Sequence, residues 1–368
     1  MKLLLEEIRH NKLLWLLGLA PVLFALEALK PKNHAFLFVL SVLTIIPLGA
    51  TRLRGLTVNS KRLGIIPIAL VWCTSWIASA QAQTLPQPPQ VASNKTIDLG
   101  GRGLAPPEAT SQEASKDENE GLKFSAKAGV ASDYVYRGTT LSDHKPALGA
   151  AIEATFARFY AWTTAATVRL PTQPDAELAF GGGIRQSFGD FDFDLGGSYF
   201  AYPGGMPGAS SIDYWEAAFR SEVKLTESLR WAGGFAYSPN VSNTGAWSWY
   251  GASGLGYDLP ARLLPPDFGV SFTAAAGYSW FGHQSAALGG FQLPAYLNWH
   301  AGVTFTYKSF NLDLRYHDTD LSKENCFVFT GDPDAGRGGH RDPITNPGGL
   351  ISNWCGATVV AKAWVALN

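Results

Sequence analysis

His317, Asp318 and Asp320 place an imidazole and two carboxylates in one short stretch, the residue types of an acid–base pair or a metal site. Their setting argues against both. Phe310-Asn-Leu-Asp-Leu-Arg-Tyr-His317 alternates apolar and polar at every step, which is the period of a β-strand. On a strand neighbouring side chains point to opposite faces, so His317 and Asp318 diverge. Gly181-Gly-Gly183 is no phosphate cradle, because no Lys-Ser/Thr pair follows it, and glycines on a strand more readily mark a bend. No Ser, His and acid set is singled out by its spacing, and His340 stands alone in a Gly-rich stretch. The expectation is a protein without catalytic residues, metal or cofactor, and not an enzyme.

The polar residues that do fall into a pattern are charged and occupy one face of successive alternating segments. Asp192 and Asp194 oppose Phe191, Phe193, Leu195 and Tyr199, while Arg230 opposes Trp231, Phe235 and Tyr237. His300 opposes Leu297, Trp299, Val303 and Phe305; Asp313 and Arg315 oppose Leu312, Leu314 and Tyr316; Lys362 opposes Val359, Val365 and Leu367. With Arg185, Glu216, Arg220 and Glu222 these are the candidates for lining an interior. Asp133 and Arg137 join them at the end of the first segment, as inward charges or as an ion pair fixing the first hairpin, with Gly138 as its turn. Mixed signs suit either a narrow polar pore or a plugged, hydrogen-bonded interior, since desolvated charges must be partnered.

Elements that would hold such a face are strands near 122–136, 147–157, 159–170, 176–188, 190–201, 212–225, 228–238, 246–258, 267–280, 295–307, 309–320 and 357–367. Their connections alternate. Ala157-Arg158, Gly189-Asp190, Glu227-Ser228 and Lys308-Ser309 are tight turns, and those between are longer, with 259–266 and 171–175 as exceptions. Short turns on one side and long loops on the other are characteristic of outer-membrane barrels. The predicted fold is therefore all-β, an antiparallel transmembrane β-barrel of about 12 strands, preceded by hydrophobic helices and a disordered linker. A Lys or Arg turned to lipid at mid-bilayer costs about 2–4 kcal/mol, so a one-residue slip is disfavoured in most strands. The net charge of −1 offers no basic surface for nucleic acid.

Composition divides the chain into four parts. Residues 1–55 read as a hydrophobic helical hairpin, a possible fusion or wrong start, with apolar runs at Leu13–Leu29 and Ala35–Ala50 flanked by Lys and Arg. Residues 56–82 read as a signal-peptide-like segment: Lys61-Arg62, an apolar Leu63–Ile77, then Ala80-Gln81-Ala82, with cleavage between Ala82 and Gln83. The Pro-, Gln-, Ser- and Glu-rich residues 83–121 read as a disordered, solvated tether, and 122–368 as the outer-membrane barrel. After cleavage Cys326 and Cys355 are the remaining cysteines, and in an oxidising compartment they are expected to form a disulfide across the last long loop.

Ala131-Ser-Asp-Tyr-Val-Tyr-Arg-Gly138, Asp143-His-Lys-Pro-Ala147, Phe159-Tyr-Ala-Trp162, Tyr316-His-Asp-Thr-Asp320 and the two late cysteines resemble the TorF-type family, whose members are read as porins. This resemblance spans most of 122–368 and implies an outer-membrane β-barrel in a Gram-negative bacterium, without naming a solute. The chain departs from barrels of this kind at its end, where Trp364-Val-Ala-Leu-Asn368 lacks a final aromatic residue. Residues 13–50 resemble the amino-terminal hairpin of calcium/proton antiporters, but the acidic pairs of such exchangers do not follow. Three functions stay open: passive diffusion of small polar solutes or ions through an outer-membrane porin, a non-conducting structural or adhesive barrel, and an inner-membrane cation/proton exchanger fragment. Expected partners are the lipid bilayer, the outer-membrane assembly machinery and small polar solutes, in the cell outer membrane, with the amino-terminal segment removed at or retained in the inner membrane.

Overall fold

The computed structural model describes residues 98, 99 and 121–367. The expectations for residues 1–82, the helical hairpin, the exchanger resemblance and the cleavage at Ala82-Gln83, fall outside the described residues, as do most of 83–121.

Twelve long strands close into one antiparallel barrel. They are β1 (Lys123–Ala131), β4 (Ala147–Phe156), β5 (Phe159–Ala166), β6 (Glu177–Phe188), β7 (Phe191–Ala201), β8 (Tyr214–Lys224), β9 (Leu229–Ser238), β10 (Ser248–Asp258), β11 (Phe268–Phe281), β12 (Tyr296–Tyr307), β13 (Phe310–Thr319) and β16 (Thr358–Leu367). Each pairs with its neighbour in the chain, and β1 closes the ring on β16, with Ala131 opposite Lys362 and Ala126 opposite Leu367. Closure leaves no sheet edge, so every strand's backbone groups are satisfied internally, as a bilayer requires.

The period of two sorts the side chains. Leu148, Ile152, Phe180, Leu195, Phe272, Leu312, Leu314, Val359 and Leu367 all lie exposed on the outside. Exposed aromatics gather at both rims: Phe156, Phe159, Phe188, Tyr257, Tyr307 and Phe310 by the short turns, Tyr199, Trp215, Trp249 and Tyr316 by the long loops. An apolar band between two aromatic girdles fits a bilayer and its interfaces. Inside, Glu153, Glu216, Arg230, His300, Asp313, Arg315 and Lys362 are buried.

The first strand differs from expectation. Barrel pairing in β1 ends at Ala131, and residues 132–146 turn inward as a small hairpin of β2 (Val135–Tyr136) and β3 (Thr139–Thr140). Its turn needs positive φ at Arg137 (48°) and Gly138 (80°), and a side chain at Gly138 would collide with the methyl of Thr319. Glycine alone fits that approach. The inward course satisfies polar groups: Asp133 accepts from Thr140 Oγ1 at 2.5 Å and Ser142 Oγ at 2.9 Å, deep inside the fold.

The longest loop, between β13 and β16, carries α1 (Lys323–Thr330) and a small hairpin of β14 (Gly336–Arg337) and β15 (Leu350–Ile351). Ser322 caps α1 by accepting from the Asn325 amide at 3.1 Å. Cys326 and Cys355 form the expected disulfide, with Cα atoms 5.8 Å apart, buried beside Trp354. Phe329 of α1 packs on Phe281 and Tyr296, with ring centroids 5.2 and 5.3 Å away, which lays this loop against the loop-side ends of β11 and β12.

Candidate functional site: the barrel lumen

The lumen is built from inward positions of the strands and from the hairpin that folds among them. At the loop end Arg137, carried in by that hairpin, donates through Nη2 to both oxygens of Glu216 on β8 at 2.9 Å. Its guanidinium lies 4.1 Å from the ring centroid of Tyr250 and 4.6 Å from that of Tyr136. Asp133 faces the loop side of the same hairpin and accepts from or bonds His144 Nδ1 at 2.9 Å, while His144 Nε2 lies 3.2 Å from the Asn353 carbonyl. The hydrogen bond to Asp133 raises the His144 imidazole above its ordinary range. Tyr134 and Tyr202 donate to the two oxygens of Glu177, each at 2.7 Å.

Midway down, the Arg315 guanidinium donates to both Asp313 oxygens, at 3.0 and 2.7 Å, and lies 3.0 Å from His300 Nδ1. The rings of His300 and His317 sit 5.4 Å apart. Lys362 lies opposite Asp313 in the ladder. Toward the turn end two further networks form. Arg185 bridges Glu153, at 2.6 and 3.0 Å, to Asp194, at 2.8 Å. Arg230 bridges Glu222, at 2.8 Å, to Asp258, at 3.2 Å. The glycines of β6 and β7 have a structural use here: Gly183 faces Gly196, and the Tyr160 hydroxyl lies over both to donate to Asp194 at 2.6 Å. A Cβ at Gly196 would approach that hydroxyl to 2.6 Å.

Of the residues singled out in the sequence, Arg137 meets Glu216, Arg185 meets Asp194, Arg230 meets Glu222, and Arg315 meets Asp313 and His300. Asp133 pairs with His144 rather than Arg137, because the inward turn sends the two side chains to different neighbours. Asp192 lies opposite Ser187 and Glu222, one pair nearer the turn than Asp194, and Arg220 lies opposite Asp194 and Gly234. Asp318 points away from His317 and accepts from Tyr316 at 2.7 Å.

Several participants were missed: Lys127, Glu153, Glu177, Asp258, Tyr160 and Tyr250. Glu153 and Glu177 each stand on a strand among small apolar residues, and counting by twos from buried Ala147 and Ala179 would have turned both inward. Asp98 and Leu99 had no such signal. Leu99 is buried against Ala232, Ala236, Tyr250, Ala252 and Ala275, and its carbonyl accepts from the Tyr250 hydroxyl at 2.6 Å. Within the stretch 83–121, Leu99 lies against the wall, which offers an alanine floor for the side chain and a donor for the carbonyl. Among the described residues no group of His, Cys, Asp and Glu is arranged to hold a metal ion.

A closed antiparallel sheet, apolar outside and charged within, defines a membrane β-barrel. Residues 115–336 match the family described as "Bacterial protein of unknown function (Gcw_chp)", and the chain belongs to that family. No curated protein matches it in sequence. Among solved structures it is similar to the KdgM porin, at 8% identity over 66% of this chain and 98% of that one, with a TM-score of 0.37. It is similar also to the NanC porin, at 8% identity over 67% and 100%, TM-score 0.38. LpxR from Salmonella typhimurium is matched at 8% identity over 66% and 99%, TM-score 0.34.

Proposed function

We propose that this barrel is an outer-membrane porin for passive diffusion of small polar solutes or ions, of the TorF-type kind that its sequence resembles. The observation that supports this reading is the segregation of charge: Arg, Lys, Asp and Glu side chains line the inside in partnered sets, while the outside is apolar between two aromatic rims. A purely structural barrel gains nothing from so much buried charge, since an apolar interior of the same volume is commonly as stable or more so. Charged walls instead keep a water-filled path open to polar solutes and set which ions enter. The charged candidates lining that path are Asp133, Arg137, Arg185, Asp192, Asp194, Glu216, Arg220, Glu222, Arg230, His300, Asp313, Arg315 and Lys362. Assembly in the outer membrane, with the help of its barrel-insertion machinery, is part of the same proposal.

The test is conductance in planar bilayers of protein purified from membranes after expression of the full chain. Stepwise channel events are expected. Their absence would refute the porin reading and leave the non-conducting structural or adhesive barrel in its place.

A further inference from the structure

We propose that the inward hairpin of residues 132–146 is a crossbar that narrows the channel at its loop end, and that the Arg137–Glu216 pair at its tip determines whether anions or cations pass. The inference rests on the channel reading above. Its first support is the reach of the hairpin across the ring. The hairpin springs from the junction of β1 and β4, which are neighbours in the closed barrel. Around that ring β9 and β10 stand opposite the junction. Arg137 bonds Glu216 on β8 and stacks 4.1 Å from the ring centroid of Tyr250 on β10, so its two contacts flank the far wall. The turn rests on a third part of the wall: a Cβ at Gly138 would come within 3.1 Å of Asn298 Cβ on β12 and 3.4 Å of the Asp318 carbonyl on β13. One hairpin therefore spans the bore from wall to wall.

The second support is packing. Tyr134, Val135, Thr139 and Thr140 are all buried, whereas a hairpin lying free in a wide pore would keep such side chains wet. On the loop side it is held by the segment beside the disulfide: the Thr140 amide donates to the Trp354 carbonyl at 2.9 Å, and Trp354 Nε1 donates to Asp143 at 3.1 Å. The third support is the chemistry of the tip. Arg137 spends one nitrogen, Nη2, on both Glu216 oxygens at 2.9 Å, and its buried Nε has no hydrogen-bond partner among the described residues. The two side chains are 11% and 9% exposed, so little water screens either charge, and the balance between them fixes the sign of the field where the bore is narrowest. Paired, they nearly cancel. Asp133 adds little there, since it is bonded by Thr140, Ser142 and His144 on the loop side of the hairpin. Neutralising either member of the tip pair therefore leaves one full charge on the passage.

The experiment is the reversal potential of single channels under a potassium chloride gradient, for the full chain purified from membranes and for near-isosteric variants. Recording at about pH 8 keeps an unpaired carboxylate ionised. Glu216→Gln should move the chloride-to-potassium permeability ratio toward chloride, and Arg137→Gln toward potassium. Each shift should be at least about threefold, the effect of a unit charge about 6 Å from a passing ion in water. Arg137→Lys, which keeps the charge, should restore the preference that Arg137→Gln loses. Glu222→Gln makes the same change of charge toward the turn end and should shift the ratio markedly less. Where one of the two tip variants fails to assemble, the sign of the other's shift decides. A structural role for the pair would alter stability without opposite shifts. Unshifted ratios, shifts of one sign, or an equal shift from Glu222→Gln, all in a conducting protein, would overturn the crossbar as the selectivity determinant and leave the channel reading standing. No channel events from the parent or any variant would remove the channel reading, and this inference with it.

Discussion

Replacing Arg185 by alanine tests whether the barrel interior is held by partnered charge. Arg185 Nη1 and Nη2 donate to the two Glu153 oxygens at 2.6 and 3.0 Å, and its Nε donates to Asp194 at 2.8 Å. The guanidinium stacks on Tyr160, 3.6 Å from the ring centroid. Glu153 keeps only 1% of its side chain exposed and Arg185 keeps 23%. With charge centres about 4 Å apart and an effective dielectric of about 20, the attraction is about 4 kcal/mol. Removing one partner of a buried pair costs about 3–5 kcal/mol, chiefly because the other charge is stranded. The part of Arg185 that reaches water places the expected loss at the lower end, about 3 kcal/mol. Urea titration of the barrel in lipid vesicles, followed by tryptophan fluorescence, measures it. The Glu153→Gln/Arg185→Met double variant removes the buried carboxylate and leaves Asp194, 25% exposed and still bonded by Tyr160, so it is expected to return to within about 1 kcal/mol of the parent. A loss below about 1 kcal/mol for Arg185→Ala, or no recovery in the double variant, would show that lumen water solvates Glu153 well enough to make the pair dispensable.

Three further outcomes are expected. Leu314→Lys turns a charge to the bilayer from the middle of β13 and should cost about 2–4 kcal/mol in the same titration, whereas Thr304→Lys on the inner face should cost markedly less. Cys355→Ser opens the ring closed by the disulfide, whose sequence separation is 29. By the chain-entropy estimate that ring is worth about 3–4 kcal/mol, and limited proteolysis should cut within 320–357 while the strands stay intact. His144 has its folded pKa raised by Asp133, so the stability it lends the first hairpin is fully present below the unfolded value of about 6.5 and is lost as pH rises through the folded one. Hydrogen-exchange protection in residues 132–146, corrected for the intrinsic rise of exchange with pH, should therefore fall over that rise, and in His144→Gln it should show no such dependence.

Much of the architecture was legible because a membrane barrel imposes two simple codes. Phe310 to His317 shows the first: Phe310, Leu312, Leu314 and Tyr316 lie exposed outside, while Asn311, Asp313, Arg315 and His317 are buried inside. The second is the alternation of connections, which located tight turns such as Ala157-Arg158 and Lys308-Ser309. The disulfide was legible from compartment and number. The lumen was legible only in part, since a period of two says that Arg185 and Glu153 point inward but not that strands β4 and β6, separated by β5, bring them within 2.6 Å. That depends on the curvature of the closed sheet.

By itself, then, the amino-acid sequence determined strand number, facing and the end at which the long loops lie, because each depends on spacing along a strand against two solvents. Only the tertiary structure decided what fills the interior. Nothing local distinguishes Asp133-Tyr-Val-Tyr-Arg137 from the continuation of a strand, or Asp98-Leu99 from the rest of a polar tether. Both turn inward because the closed ring gathers Glu216 and Tyr250 with Ala232, Ala252 and Ala275 from distant parts of the chain, and only their convergence makes a buried Arg137 or a buried Leu99 favourable.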